Sequence, residues 1–558
     1  VNADQLKRIK TRIESRNVRR LETVANKTSS LCVENMFTGN PNHAAEELKK
    51  SLAVTPDEII SVLKRYLLNK PRVVMSIVPE GKLQLAASGR TDGQLAQEKE
   101  LDRTKKPAPG QRPMIQPPVV WHDKWDNGVN VTGTKYTEVP LTTLAIAVPA
   151  GRIYDSLDKA GLSSLTASCM NEGTKALNTL EFTEAAEALG ANISVSADED
   201  DFIFTLSVLN KNLKPALELL KDVILTPRFD ESDFRRIKKQ RMLAIETRSE
   251  DITGIASTVW QRLMFGNDSV LGMPANGTKA TVEKLTIEDV KNYYSKNVSP
   301  AGARLTYAGD LDGAGVKELF QQLTSAWRGA DRSAAKSAAD ASAKVKNTQK
   351  NVLYLVDKPG AAQSQIRIGH AGVAMSDPNY FPLTVLNYIL GGAFSSRINM
   401  NLREDKGYTY GARSAFDSGV RDGVFVASGG IHTKHTKAAI VEFIKELKTI
   451  ADGVTEAELA FAKNALAQNF ALQYESSNAR LGMVNNISKY GFKDDYPSRR
   501  IAELEKLTVA DLKALAEKYI RAGEMQILVV GDKKEVGQGL SELGMGDVTE
   551  LDIDGEKK

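Results

Sequence analysis

Three pairs of capped helices, set at a nearly constant interval, constrain this chain more than any other feature of its sequence. Asn2-Ala-Asp-Gln5, Asp230-Glu-Ser-Asp233 and Thr455-Glu-Ala-Glu458 each put a capping residue before a long amphipathic run. A second capped start follows each: Thr55-Pro-Asp-Glu58, Thr286-Ile-Glu-Asp289 and Thr508-Val-Ala-Asp511, at offsets of 53, 56 and 53 residues. Successive copies are 228 and 225 residues apart. Each second helix runs into a β-like segment, at residues 72–78, 303–308 and 525–530. One such capping pattern means little. Three pairs at matched offsets, each ending in a strand, mean a repeated domain, because the period is far longer than a solenoid unit.

The 558 residues therefore hold the last third of one copy and two complete copies. The expected organisation is 1–85 as the end of a copy whose first part is absent, 86–117 as a linker and 118–328 as a full copy. A second linker at 329–349, a full copy at 350–535 and a mobile polar tail at 536–558 complete it. Within each full copy, alternating strands at 144–148 and 365–369 lead into apolar helices, and strands at 202–208 and 424–428 precede helices of period 3.6. Strand pairs followed by helices predict an α+β fold: repeated domains of roughly 220 residues, each a largely antiparallel sheet with helices over one face.

Composition narrows the function. A net charge of +4, with no basic patch interleaved with aromatics, argues against nucleic acid as a partner. No run approaches the ~18 apolar residues of a membrane helix. Cys32 and Cys169 make neither a disulfide framework nor a metal-ligand spacing. Cys169 reads as a small buried residue, His432 and His435 as a polar turn, and His43, His122 and His370 as isolated.

The stretch GLSSLTASCMNEGT at 161–174 has the frame of an H-x-x-E-H zinc helix with its chemistry removed. The two His positions and the general-base position hold Ser164, Ser168 and Ala167. Serine is a poor zinc ligand and alanine cannot move a proton, so this helix should hydrolyse nothing.

Together with LTIEDVKNYYSKNVSP leading into AGDLD, and ILGGAFSSRINMNLREDKGYTYG, that stretch resembles the pitrilysin–insulinase family of zinc peptidases over nearly the whole chain. The resemblance implies the mitochondrial-processing-peptidase-like metallohydrolase fold, with four homologous domains in two halves that close around a peptide. It makes 1–85 the end of domain two, and places the zinc and its ligands in an N-terminal half outside this chain. Glu246 stands at the place of the family's third zinc ligand, 78 residues beyond Ser168, but without its histidines it is expected to be an ordinary surface Glu.

The resemblance also implies a positive role. The family pattern LRExxGxxY is matched in full from Leu402 to Tyr410, which makes Arg403 and Tyr410 the expected catalytic and substrate-binding pair. A Tyr hydroxyl can donate to the oxyanion of peptide hydrolysis, and an Arg fork can hold a backbone carbonyl. Gly391, Gly392, Phe394 and Ser395 precede them in a loop expected to contact the peptide; on local grounds those glycines end a helix.

The expectation is thus the substrate-gripping half of a zinc metalloendopeptidase, inactive alone. Zinc would come from a partner half in the same polypeptide, a cleaved fragment or another chain. The alternative is a non-catalytic scaffold or peptide-binding subunit of the same fold; a dedicated processor of one small protein is a third reading. The bacterial style of the domain pair favours the periplasm, with no targeting segment to read.

Overall fold

The computed structural model describes residues 2–71, 75–76, 116–329, 345–421 and 423–558. Most of the β-like segment at 72–78 and the linker from 86 to 115 lie outside the described residues, as does 330–344 of the second linker.

All six capped starts are helix N-termini. Counting helices of eight residues or more, the N-terminal segment contributes α1 (Ala3–Arg20), α2 (Val24–Thr38), α3 (His43–Ala53) and α4 (Pro56–Tyr66). The next copy contributes β1 (Val120–Lys124), β2 (Asn130–Lys135) and β3 (Leu141–Val148), then α5 (Leu162–Met170) and α6 (Thr179–Leu189). It continues with β4 (Asn192–Ala197), β5 (Phe202–Leu209), α7 (Leu213–Leu225), α8 (Glu231–Arg248), α9 (Ile252–Phe265), α10 (Ile287–Asn297) and β6 (Arg304–Gly309).

The last copy repeats this order: β7 (Val352–Asp357), β8 (Gln363–Ala371), α11 (Tyr380–Asn387), β9 (Thr409–Asp417) and β10 (Val424–His432). Then follow α12 (Thr436–Thr449), α13 (Glu456–Leu472), α14 (Ser477–Tyr490), α15 (Tyr496–Lys506), α16 (Val509–Tyr519) and β11 (Gln526–Gly531). Thr55, Thr286, Thr455 and Thr508 form reciprocal capping boxes with Glu58, Asp289, Glu458 and Asp511, while Asn2 and Asp230 cap through their own oxygens.

The two six-stranded sheets share one order over five strands and differ at one edge. The first runs β1-β2-β6-β3-β5-β4 and the second β12-β7-β11-β8-β10-β9, where β12 (Val548–Leu551) takes the place of β1. In both, the copy's first long strand pairs parallel with its last, β2 with β6 and β7 with β11. The fold is therefore α+β, as the strand and helix order requires.

The chain from Val536 is not the mobile tail that its polarity suggested. It forms α17 (Lys533–Ser541) and then β12, which pairs parallel with β7. Its few apolar residues explain this: Val536, Leu540 and Leu551 are all buried, and Leu551 joins the cluster under α9. At the end of the second linker, Val345 also packs in that cluster and the Lys346 amide donates to the Met264 carbonyl.

Each copy's own helices cover one face of its sheet. Leu144, Phe204, Leu206 and Leu305 pack beneath α7 residues Leu217 and Leu220 in the first, and Ile368, Phe425 and Val529 beneath α12 residues Ile440 and Phe443 in the second. Burying each such side chain contributes about 1.5–3 kcal/mol. The opposite faces are covered by exchange. Helix α9 leaves its copy and lays Ile255, Val259, Trp260 and Met264 on Val356, Val424, Leu528 and Val530 of the second sheet. Helix α14 makes the reciprocal move onto β2, β3 and β6, where Ser477 meets Thr143 at 3.0 Å. Gly369 lets Trp260 lie against β8, since a Cβ there would come 3.1 Å from the indole and 1.9 Å from the Phe425 carbonyl.

A buried ionic junction pins the exchange. The turn between β4 and β5 carries Asp198, Glu199, Asp200 and Asp201; Lys489 of α14 lies 2.9 Å from Asp201, and Arg304 reaches the same carboxylate at 2.7 Å. Arg421 adds an ion pair to Asp200. Burial by itself would lower the Lys489 ammonium, but Asp201, Asp198 and Asp200 outweigh it and hold it above its ordinary range. Lys489→Met should therefore cost about 2–4 kcal/mol in denaturant unfolding, whereas Lys291→Ala, at an exposed pair with Glu288, should stay within about 0.5 kcal/mol. Equal midpoints for the two variants would remove the junction's role.

The N-terminal helices are attached through α1, which packs on α6. Glu22, buried, accepts from Tyr136 Oη at 3.1 Å and from the Ser477 amide at 2.9 Å, so one carboxylate joins all three copies at the start of α14. Helix α2, which follows α1 as α9 follows α8, leaves Val24, Leu31, Val33, Met36 and Phe37 exposed.

Candidate functional site

The degenerate zinc helix is α5. Its first turn is held by Asp155, which accepts from the Gly161 and Ser163 amides at 3.1 and 2.9 Å. Ser164 and Ser168 sit one turn apart and face α8, while Ala167 is buried. Between them lies a guanidinium. Arg241 Nη1 donates to Ser164 Oγ at 2.8 Å and Asn276 Oδ1 at 2.9 Å, and Nη2 donates to Ser168 Oγ at 2.9 Å.

A fixed cation bonded by neutral oxygens thus occupies the space between the two ligand positions, and burial lowers it from its ordinary range. The residues present do not fit zinc: the oxygens are hydroxyl and amide, and a second cation would be repelled at contact distance. Glu246, further along α8, is exposed and pairs with Lys279 at 3.1 Å. No group of three His, Cys, Asp or Glu among the described residues could hold a metal ion.

Arg241 had no signal in the sequence. It is one of several basic residues in RRIKKQR, and only the packing of α8 on α5 selects it. Reinstalling the ligands as Ser164→His, Ala167→Glu and Ser168→His should accordingly leave zinc affinity weak until Arg241→Ala is added. The fourth change should raise affinity at least tenfold in a competition assay with a zinc chromophore; equal affinities would show that the guanidinium excludes nothing.

The second candidate site is built by the chain from α11 to β9. Helix α11 widens into π-turns at Tyr388–Gly392, and the chain makes another at Met400–Asp405, irregularities that re-aim side chains. Gly391 is required by contact rather than by flexibility, since a Cβ there would meet Ser414 Oγ at 2.3 Å. Arg397 anchors the loop with two bonds to Glu458, at 2.6 and 2.8 Å. These bonds, with the Thr455 cap, hold the Glu458 carboxyl down at about 2. Asn399 ties the Phe394 carbonyl to the Ala412 amide, at 2.6 and 3.1 Å.

On this frame Arg403 lies with its guanidinium 4.6 Å from the Phe394 ring centroid and its Nε 3.2 Å from Glu404. Gly407, at φ 64°, turns the chain into β9, the edge strand of the second sheet, and Tyr410 stands 80% exposed there, with its ring 6.2 Å from that of His432. A cavity of about 430 Å³ opens at this point. Arg403, Gly391, Gly392 and Phe394 line it; Ser395 and Tyr410 do not. Arg367, Arg413 and Gln365 line it too, residues that sequence reasoning did not single out because they look like ordinary polar positions on alternating strands.

Of the remaining candidates, His432 and His435 border a single 3₁₀ turn, and His435 stacks on Tyr408 at 4.4 Å. Cys169 is in the core, where burial pushes its thiol up to about 12. A larger cavity of about 880 Å³, lined by Trp125, Pro300 and Trp327, lies away from both sites.

One copy thus carries a degenerate metal helix closed by a guanidinium, and the next an Arg–Tyr loop that opens on a cavity. Residues 133–266 match the family described as insulinase (peptidase family M16), and 284–466 match the peptidase M16 inactive domain. The chain belongs to the M16 insulinase family. Among curated proteins it is similar to the non-peptidase homolog YmxG of Helicobacter pylori, 23% identical over 410 residues covering 71% of this chain and 90% of that protein. It is likewise 23% identical to an uncharacterized zinc protease, YmxG of Bacillus subtilis, over 64% of this chain and 84% of that one. The crystal structure of a peptidase M16 inactive domain from Pseudomonas fluorescens shares the fold, with TM-score 0.68 and 22% identity, over 74% of this chain and 98% of that one.

Proposed function

We propose that this chain is the peptide-gripping, non-hydrolytic half of a composite M16 metalloendopeptidase, and that zinc chemistry is supplied by a second, H-x-x-E-H-bearing half. The observation that carries this reading is the contrast between the two sites. The metal helix is closed by Arg241, whereas the Arg403 loop is braced by Asn399 and Arg397 and opens on a cavity. In this role Arg403 grips a substrate carbonyl and Tyr410 donates to the oxyanion formed in the partner's site. The exposed apolar residues of α2 supply a surface for that partner, because the same element in the other two copies lies on a sheet of the neighbouring copy.

A second reading, a non-catalytic peptide-binding scaffold, is favoured by the closure of the metal site and by the Helicobacter relative called a non-peptidase homolog. Turnover separates the two. With a zinc-bearing half present, a quenched fluorescent peptide should be cleaved only when both halves are there. Arg403→Ala and Tyr410→Phe should then each lower kcat/KM by about 10²-fold without shifting the unfolding midpoint. Full rates in both variants would remove the catalytic assignment, and no turnover with any H-x-x-E-H half would leave the scaffold.

A further inference from the structure

We infer that the cavity beside Arg403 is an anion subsite, which selects a carboxylate on the peptide this chain receives. The inference rests on the peptide-gripping reading and adds to it a chemical preference.

The subsite is a row across three strands. Arg367 on β8 and Arg413 on β9 both stand opposite Ser428 on β10. With strands about 4.8 Å apart, two arginines flank one small residue on the outer face of the second sheet. Helix α9 covers the neighbouring, apolar part of that face and stops short of this one, where its first turns contribute Thr253 and Ser257. Arg403 lines the same cavity. The floor is made largely of residues without side chains, Gly391, Gly392, Gly411, Gly429 and Gly430, so the volume of about 430 Å³ is left open. That is room for one or two peptide side chains.

The charge in this cavity is uncompensated from within. No Asp or Glu lines it, and neither Arg367 nor Arg413 has an ion pair among the described residues. Arg367 spends one donor on Ser257 Oγ at 2.7 Å. Burial and the like charge of Arg413 both lower Arg367 from its ordinary range, against a weaker pull from Asp417. Elsewhere the molecule treats shielded arginines differently: Arg304 has Asp201, Arg397 has Glu458 and Arg421 has Asp200. Arg241 lacks a carboxylate but is filled by three neutral oxygens. In the cavity, Arg367 and Arg413 face open space, and a planar carboxylate matches their paired donors.

The carboxylate could be an acidic side chain or a peptide C-terminus, and calorimetry on the full chain at about 50 mM salt, within reach of surface electrostatics, distinguishes them. The probes are a capped pentapeptide with a central Glu, its Gln counterpart, the Gln peptide with a free C-terminal carboxylate, and succinate. The Glu peptide or the free-acid peptide should bind at least tenfold more tightly than the capped Gln peptide, and whichever does names the source. Arg413→Gln, a change at an exposed side chain, should abolish the difference. Equal affinities for all three peptides, or a difference that survives Arg413→Gln, would overturn the subsite. Succinate binding that needs Arg413, with no peptide bound, would keep the subsite and overturn the peptide-gripping reading. No binding of any probe would overturn both.

Discussion

A sheet has two faces, and a copy of this fold brings helices for only one of them. The rest of the structure follows from how the other face is covered. Helices α9 and α14 cross between the copies, each burying its apolar side on its neighbour's sheet, so the two full copies cannot separate without exposing both. The junction of Lys489, Arg304 and Arg421 with the 198–201 turn then sets the register of the exchange. Glu22 extends it to the N-terminal helices by placing a carboxylate at the start of α14. A helix that has crossed also forms the wall of the cavity on the far side, which is why Thr253, from one copy, faces Arg367 from the other.

The two candidate sites show opposite uses of positive charge. At α5 a guanidinium is saturated by hydroxyl and amide oxygens, so its charge closes a place where a metal would stand. At the cavity three arginines are held by packing and loop braces, with space before them. A saturated cation stabilises a fold; an unsaturated one, preorganised on strands, is ready to bind.

Much of the architecture was legible in the sequence because it rests on local chemistry. Thr286 caps α10 through Asp289 three residues away, and Thr508 does the same through Asp511, interactions that need no knowledge of the fold. The alternation at 365–369 and 202–208 likewise announces which residues face a core. The residues from Val536 were misjudged because three apolar side chains among polar ones look like a tail until the surfaces that bury them are known. The Arg403 loop was visible as a motif, but its neighbours Arg367 and Arg413 come from strands whose lateral order a sequence does not state.

By itself the sequence determined the number of copies, the ends of their helices, the α+β class and the loss of the zinc ligands at Ser164 and Ser168. Each of these depends on residue identity and on spacing within a turn or a strand. Only the tertiary structure decided that Arg241 fills the vacated ligand position, that α9 and α14 exchange partners, and that Arg367 and Arg413 share one cavity with Arg403. Those facts join residues up to hundreds of positions apart, and which faces meet across such distances is settled by burying every apolar surface at once, not by any local pattern.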